Sequence, residues 1–234
     1  MLIKTQAEIT HKQQLNNDTI LVRLDLADNL NFTAGQYIIV DIEKNNQLFK
    51  RLYSIASPET NQRQIELIIQ IVPGGIGSEF FQKAKINQRF NISGPAGHFV
   101  LRKNNNNKIF LATGTGIAPI RSMLASYLPK NPKEELKLIW GMRTTESLYL
   151  IDEYKNWQKN HSNFSYNICL SREEPQDPVC FKGHLQDFIN LNKSSLISNT
   201  TDFYICGNRD MTEEIKNLLI SLGANPQQVY FEKF

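Results

Sequence analysis

Apolar and polar positions along this chain follow two rhythms, and the change between them falls near residue 103. Before it, short runs rich in β-branched and aromatic residues predict strands at Ala7–Ile9, Ile20–Leu26, Tyr37–Ile42, Arg51–Ile55 and Ile65–Val72. Clusters of Asn, Asp, Gly and Pro separate them. One helix-like insert, Ser78–Ala84, follows the glycines of Pro73-Gly74-Gly75-Ile76-Gly77. Strands of this length and spacing predict a small antiparallel β-barrel. The polar run Lys103-Asn104-Asn105-Asn106-Asn107-Lys108 reads as a low-complexity break. Beyond it, apolar runs at Ile109–Ala112, Leu136–Trp140, Tyr166–Leu170, Phe203–Cys206 and Val229–Phe231 resemble buried parallel strands. Helical stretches at Pro119–Leu128, Glu146–Lys159, Leu185–Asn190 and Met211–Leu222 lie between them. In the last, Asp210 can N-cap, Glu213 can close a capping box and Gly223 can end the helix. The pattern predicts two domains: an antiparallel β-barrel over residues 1–102, then a doubly wound α/β domain with a parallel sheet over 103–234.

Composition narrows the function classes. The 234 residues are 41% hydrophobic and 10% aromatic, which is ordinary for a globular protein with a core. A net charge of +3 comes from interspersed lysines and acids, without the basic stripe of a nucleic-acid binder. Cys169, Cys180 and Cys206 are too scattered for a disulfide framework or for a zinc or iron–sulfur ligand set, so no metal is expected. The start, Met1-Leu2-Ile3-Lys4-Thr5, lacks a long apolar core, and no run approaches transmembrane length. These features lead us to expect a protein of a reducing cytoplasm without a membrane partner.

Four places carry candidate chemistry. Arg51-Leu52-Tyr53-Ser54 combines a guanidinium suited to a pyrophosphate, a ring that can stack on a flat heteroaromatic, and a hydroxyl for its edge. Alternation puts Arg51 and Tyr53 on one face, so a shared ligand requires the strand to end near Ser54. Taken alone, the tetrapeptide reads as an ordinary amphipathic strand with a surface Arg and a half-buried Tyr. Thr113-Gly114-Thr115-Gly116-Ile117-Ala118-Pro119 lies where the first parallel strand meets its helix, where glycines let the backbone approach a pyrophosphate and the helix start offers N–H groups. Pro119 suits an early helical position. Ser171-Arg172 follows the third strand and suits a 2′-phosphate, or is a solvated loop. Cys206-Gly207 ends the fourth strand, where the cysteine is either site-lining or a small buried hydrophobe. Phe234 follows a core-like strand that would tether the chain end.

Taken in order, these residues resemble the ferredoxin–NADP(H) reductase family, in its plant-type and bacterial members, over nearly the whole chain. The resemblance implies an FAD site in which Arg51 meets the pyrophosphate, while Tyr53 and Ser54, with Leu52 between them, meet the isoalloxazine. Gly75-Ile76-Gly77-Ser78 resembles its second FAD motif, with the glycine backbone and the Ser78 hydroxyl on phosphates. Gly94-Pro95-Ala96-Gly97 resembles the loop closing the barrel. Thr113, Gly114, Thr115, Gly116, Ile117 and Pro119 fall in the matching nicotinamide-nucleotide loop, and Ser171 and Arg172 match the 2′-phosphate contact. Cys206, with Gly207 beside it, and Glu232 match residues that flank the nicotinamide. Phe234 stands where a terminal aromatic, usually Tyr, covers the flavin face opposite Tyr53. Phe in place of Tyr keeps the stacking surface and loses the hydroxyl. The segment Lys182-Gly183-His184 lacks a second Arg, so NADPH is the expected substrate with NADH open.

The implied activity is hydride transfer between NADPH and FAD, with Ser54, Cys206 and Glu232 as the catalytic set. Electrons would then pass singly to a separate ferredoxin or flavodoxin, with the enzyme acting as a monomer. An NAD(P)H:flavin reductase and an oxygenase reductase component are the enzymatic alternatives. A non-catalytic FAD electron-transfer subunit is the alternative of another class.

Overall fold

The computed structural model describes residues 2–130 and 133–234. The chain forms two compact units: residues up to Leu101 with Arg121–Ser126, and Arg102–Ile120 with Tyr127–Phe234.

In the first unit the strands are β1 (Ile3–Asn16), β2 (Thr19–Leu26), β3 (Tyr37–Lys44), β4 (Gln47–Ser54), β5 (Gln64–Gln70) and β6 (Arg89–Ala96), with helix α1 (Ile76–Lys83) between β5 and β6. They form one antiparallel sheet in the order β4-β3-β6-β1-β2-β5. A bridge from Ile55, just past β4, to Leu67 of β5 joins the two edges, so the sheet curls into a barrel. Strand alternation sends Ile9, Val22, Leu24, Ile38, Val40, Ile65, Leu67 and Ile92 inward, where Phe81 of α1 joins them. Each such side chain stabilises the fold by about 1.5–3 kcal/mol relative to exposure.

The second unit contains β7 (Asn107–Thr113), α2 (Ile117–Tyr127), β8 (Leu136–Met142), α3 (Ile151–Asn160), β9 (Phe164–Leu170), β10 (Cys180–Lys182), α4 (Leu185–Leu196), β11 (Thr201–Gly207), α5 (Arg209–Ser221) and β12 (Val229–Lys233). Its all-parallel sheet runs β10-β9-β8-β7-β11-β12. Strand order reverses between β7 and β11, which makes the end of β7 a topological switch point. Ile109, Leu111, Ile139 and Phe203 pack with α4 and α5 on one face. On the other face Trp140 and Tyr166 meet Tyr154 of α3. The sheet is therefore doubly wound, as its apolar rhythm predicts.

Several elements differ from the sequence reading, each for a local reason. Strand β6 was not expected, because the polar–apolar alternation of Arg89 to Ile92 runs into Gly94-Pro95, a pair that ordinarily marks a turn; residues Gly94–Ala96 are strand, not loop. β10 is a three-residue strand too short to show a pattern. α1 and α2 start earlier than predicted, at Ile76 and Ile117, and α4 runs on to Leu196. The stretch Glu146–Lys159 is not one helix: a capped turn at Thr145–Ser147 and a left-handed Leu150 (φ 57°) precede α3. Asn208, not Asp210, caps α5 by accepting from the Met211 N–H, and Glu213 pairs with Lys233 instead of closing a capping box. The asparagine run is no simple break. Asn104 and Asn106 side chains each donate to Asp202 at 2.8 Å, while the buried Lys108 ammonium donates to the Asn106 carbonyl at 2.7 Å. Among the described residues no helix is long and apolar enough to cross a membrane.

The division between units runs through α2, whose second half groups with the barrel. Arg121, 9% exposed, donates to the Ala56 carbonyl (3.0 Å) and to Glu66 (2.8 Å), and Glu66 also accepts from Arg23 (2.9 Å). Burial alone would raise the Glu66 pKa, but the bonds from Arg121 and Arg23 outweigh it and hold the carboxyl below its ordinary 4.5. A depressed folded-state pKa adds stability that is complete above the unfolded value and is lost as pH falls through the folded one. We predict that Glu66→Gln lowers stability at neutral pH by about 1–3 kcal/mol. The gap to wild type should close on acidification below 4.5, as denaturant melts across pH will show.

Candidate functional site

The barrel contributes the end of β4. Pairing of Tyr37 with Ser54 is the last rung of the β3–β4 ladder, so the strand ends at Ser54. Arg51 and Tyr53 share one strand face, and Leu52 between them is 59% exposed. The Tyr53 ring stands edge-on to Phe81, with centroids 5.1 Å apart. Burial pushes its phenol up to about 12, against an opposing pull from Arg51, so the hydroxyl stays protonated. Arg51 is half-buried and rests one guanidinium nitrogen on the Lys50 carbonyl at 2.8 Å.

The second glycine motif meets the first. A β-carbon at Gly77 would lie 2.0 Å from the Tyr53 hydroxyl and 3.4 Å from Arg51 Cγ. Glycine at the start of α1 thus lets helix backbone close on the Arg51–Ser54 strand, against the Tyr53 phenol and the aliphatic stem of Arg51. Gly74 adopts φ 74° with open space around its missing side chain. This cradle fits a phosphate-bearing nucleotide with a flat ring. Two side chains of the motif point elsewhere: Ile76 packs on the barrel core, and the Ser78 hydroxyl accepts from the Val72 N–H (2.9 Å) and donates to the Gln70 carbonyl (3.2 Å). Ser78 therefore shapes its own loop.

In the second unit, residues Gly114–Gly116 form a 3₁₀ turn at the switch point, between β7 and α2. Gly114 has φ 52° and nothing within 4 Å of where a β-carbon would stand. That open, left-handed position fits a close-lying pyrophosphate. The first α2 N–H, of Ile117, is already bonded to the Gly114 and Thr115 carbonyls, so donors for a ligand come from the turn and not from that residue. Ile117 and Pro119 are buried and serve the helix start. Gly116 packs on the end of β11, where a β-carbon would lie 2.2 Å from the Cys206 carbonyl oxygen. Gly207 in turn approaches Thr113, whose hydroxyl would be 2.4 Å from an added β-carbon.

Thr113, Gly116, Cys206 and Gly207 are thus brought together. Cys206 pairs in register with Glu232 across β11 and β12. Its thiol is fully buried, and burial, reinforced by the Glu232 charge, holds it well above the ordinary thiol range. Phe234 is tied by its N–H to the Gly207 carbonyl at 3.3 Å while its ring is 61% exposed. Ser171 and Arg172 end β9, two strands from β7, with their N–H groups on the Met142 and Arg143 carbonyls. Arg172 is exposed, whereas Lys182 is paired with Glu174.

Sequence reading missed Trp140 and Tyr149. The indole N–H and the phenol O–H both donate to the Gly114 carbonyl, at 3.1 and 3.2 Å. Two buried aromatics carrying polar tips are the only signal available beforehand, since such tips need partners when buried.

Gly77→Ala tests the barrel cradle. A methyl group there must displace the Tyr53 hydroxyl, so the variant should fold with a markedly lower FAD content, read as visible absorbance per protein.

Comparison with known proteins gives the same two halves. The chain matches the oxidoreductase FAD-binding domain over residues 6–101 and the oxidoreductase NAD-binding domain over residues 110–217. It is 30% identical over 232 residues to the toluate 1,2-dioxygenase electron transfer component of Pseudomonas putida, covering 98% of this chain and 67% of that one. It is 29% identical to the CDP-6-deoxy-L-threo-D-glycero-4-hexulose-3-dehydrase reductase of Yersinia pestis, covering 91% and 63%. The chain therefore spans about two thirds of the length of these relatives. Among solved structures, a cytochrome P450 reductase from Amycolatopsis superposes with a TM-score of 0.90 at 26% identity, over 100% of this chain and 70% of that one. A ferredoxin NADP+ reductase from Neisseria gonorrhoeae, with bound FAD and NADP, shares the fold at TM-score 0.87 and 20% identity, over 98% of each chain. With both halves matched in order, the chain belongs to the ferredoxin–NADP(H) reductase-like family of FAD- and NAD-binding oxidoreductases.

Proposed function

We propose that this chain takes a hydride from NADPH or NADH and passes the electrons one at a time to a separate protein carrier, a ferredoxin or flavodoxin. One observation carries the reading. The glycine turn at the switch point of a parallel sheet occurs in a chain whose barrel sets Arg51 and Tyr53 against the backbone of Gly77. FAD, when bound, supplies the exchange between two-electron and one-electron transfer. This chain's residues hold and orient. Arg51 and the α1 backbone would take the phosphates over residues 1–102, with Tyr53 and Ser54 at the ring. Over 103–234, Thr113 and the Gly114–Gly116 turn would take the nucleotide pyrophosphate, with Ser171 and Arg172 at the ribose end. Cys206, as a neutral thiol beside Glu232, would position the nicotinamide, in keeping with positioning as a main source of rate. Phe234, tethered by its backbone with a free ring, would act as a gate.

A second reading is supported by the Pseudomonas relative: the carrier or acceptor is part of an oxygenase, and this chain is its reductase component. Both readings share the same flavin chemistry and differ only in the acceptor. The three free cysteines and the dispersed charge suit a monomer in a reducing cytoplasm.

Anaerobic titration of the purified protein with NADPH and with NADH tests the proposal: both should bleach a bound flavin. A colourless protein that reduces added riboflavin, or a flavin that neither donor bleaches, would sink it. Lys182 is engaged by Glu174, while Arg172 is exposed and would meet a 2′-phosphate. We predict that Arg172→Ala raises the KM for NADPH about tenfold and leaves that for NADH unchanged, as loss of one charged hydrogen bond implies. Removing Phe234 should tighten binding of the oxidised nucleotide; unchanged affinity refutes the gate.

A further inference from the structure

The Gly114 carbonyl accepts from three donors. It receives the Trp140 indole N–H at 3.1 Å, the Tyr149 hydroxyl at 3.2 Å and the Ile117 backbone N–H that closes the turn. A carbonyl oxygen has two lone pairs, so three donors saturate it. Trp140 is fully buried in β8, Tyr149 is 5% exposed, and their rings pack edge to face with centroids 4.8 Å apart. The two donors are therefore held by packing before any ligand arrives. Gly114 itself is in the left-handed region, φ 52°, although no steric contact demands it, since nothing stands within 4 Å of its missing β-carbon.

A trans peptide is planar, and its C=O and N–H point in opposite directions. Drawing the Gly114 carbonyl toward Trp140 and Tyr149 therefore turns the Thr115 N–H away from them. We infer that Trp140 and Tyr149 are positioning residues that set the Gly114–Thr115 peptide plane, so that the Thr115 N–H is fixed as a donor to a nucleotide pyrophosphate before the nucleotide binds. The inference rests on the nicotinamide-nucleotide reading above. It deepens that reading by naming what orients the turn. Donors fixed in advance spare a ligand the cost of ordering them.

Tyr149→Phe keeps the ring and its packing on Trp140 and removes one donor, so it isolates the effect. Gly114→Ala is the second variant: its β-carbon meets no atom, and only the left-handed backbone is penalised. The probe is ADP-ribose, which carries the pyrophosphate, titrated calorimetrically into the flavin-loaded enzyme. Its Kd should rise about five- to tenfold in Tyr149→Phe, as loss of one neutral hydrogen bond implies, and should rise also in Gly114→Ala. Reduction of the flavin by N-benzyl dihydronicotinamide, a hydride donor without phosphates, should proceed at the wild-type rate in Tyr149→Phe. Unchanged ADP-ribose affinity in the two variants overturns the inference while leaving the nucleotide reading intact. An equal loss with the phosphate-free donor also overturns it, because that marks general loosening. If wild-type enzyme fails to bind ADP-ribose, the nucleotide reading falls and this inference falls with it.

Discussion

A side chain at Gly116 would drive its β-carbon to within 2.2 Å of the Cys206 carbonyl oxygen and 2.9 Å of Gly207 Cα. The turn after β7 can rest on the end of β11 only through a hydrogen atom. That contact sets how low the turn sits over the switch point, and the rest of the nucleotide side depends on it. Seated there, the Gly114 carbonyl comes within reach of Trp140 and Tyr149, α2 starts at Ile117, and β11 carries Cys206 alongside Glu232 of β12. The barrel repeats the device with other residues. Gly77 lets the start of α1 touch the Tyr53 hydroxyl, and the ring of Tyr53 is then fixed edge-on by Phe81. In each unit a missing methyl group decides whether backbone N–H groups can be presented to a ligand.

Much of this was legible in the sequence because it is local. Alternation marks most barrel strands, continuous apolar runs mark the parallel ones, and a glycine motif between a strand and a helix implies its own backbone geometry. What escaped is set by partners far along the chain. The asparagine run looks like a solvated break until Asp202 is seen to bind Asn104 from 98 positions away, beside a buried Lys108. Trp140 and Tyr149 lie 26 and 35 positions beyond the carbonyl they share, on different segments, so no local pattern links them. Strand β6 escaped for the opposite reason, since its alternation is plain but ends in Gly94-Pro95, a pair that ordinarily marks a turn.

Electrostatics along the nucleotide edge also differ from a linear count of charge. Read as letters, Ser171 and Arg172 suit a 2′-phosphate, and Lys182 and His184 could add positive charge. In the fold, Lys182 pairs with Glu174, Glu173 accepts from the Thr145 N–H and hydroxyl, and the His184 N–H is capped by Asp187 at 2.8 Å. Glu174 thus offsets one positive charge of this rim, while Arg172 stays exposed.

The same logic bears on Cys206. A thiol can serve as a nucleophile or base only as thiolate, and complete burial beside the Glu232 charge opposes that form. Near neutral pH the sulfur therefore carries its proton, and its contribution is one of shape and weak hydrogen bonding. At the end of β11 it is the Cys206 backbone carbonyl, and not the thiol, that Gly116 approaches. Any titration of turnover across the neutral range must then arise from groups other than this thiol.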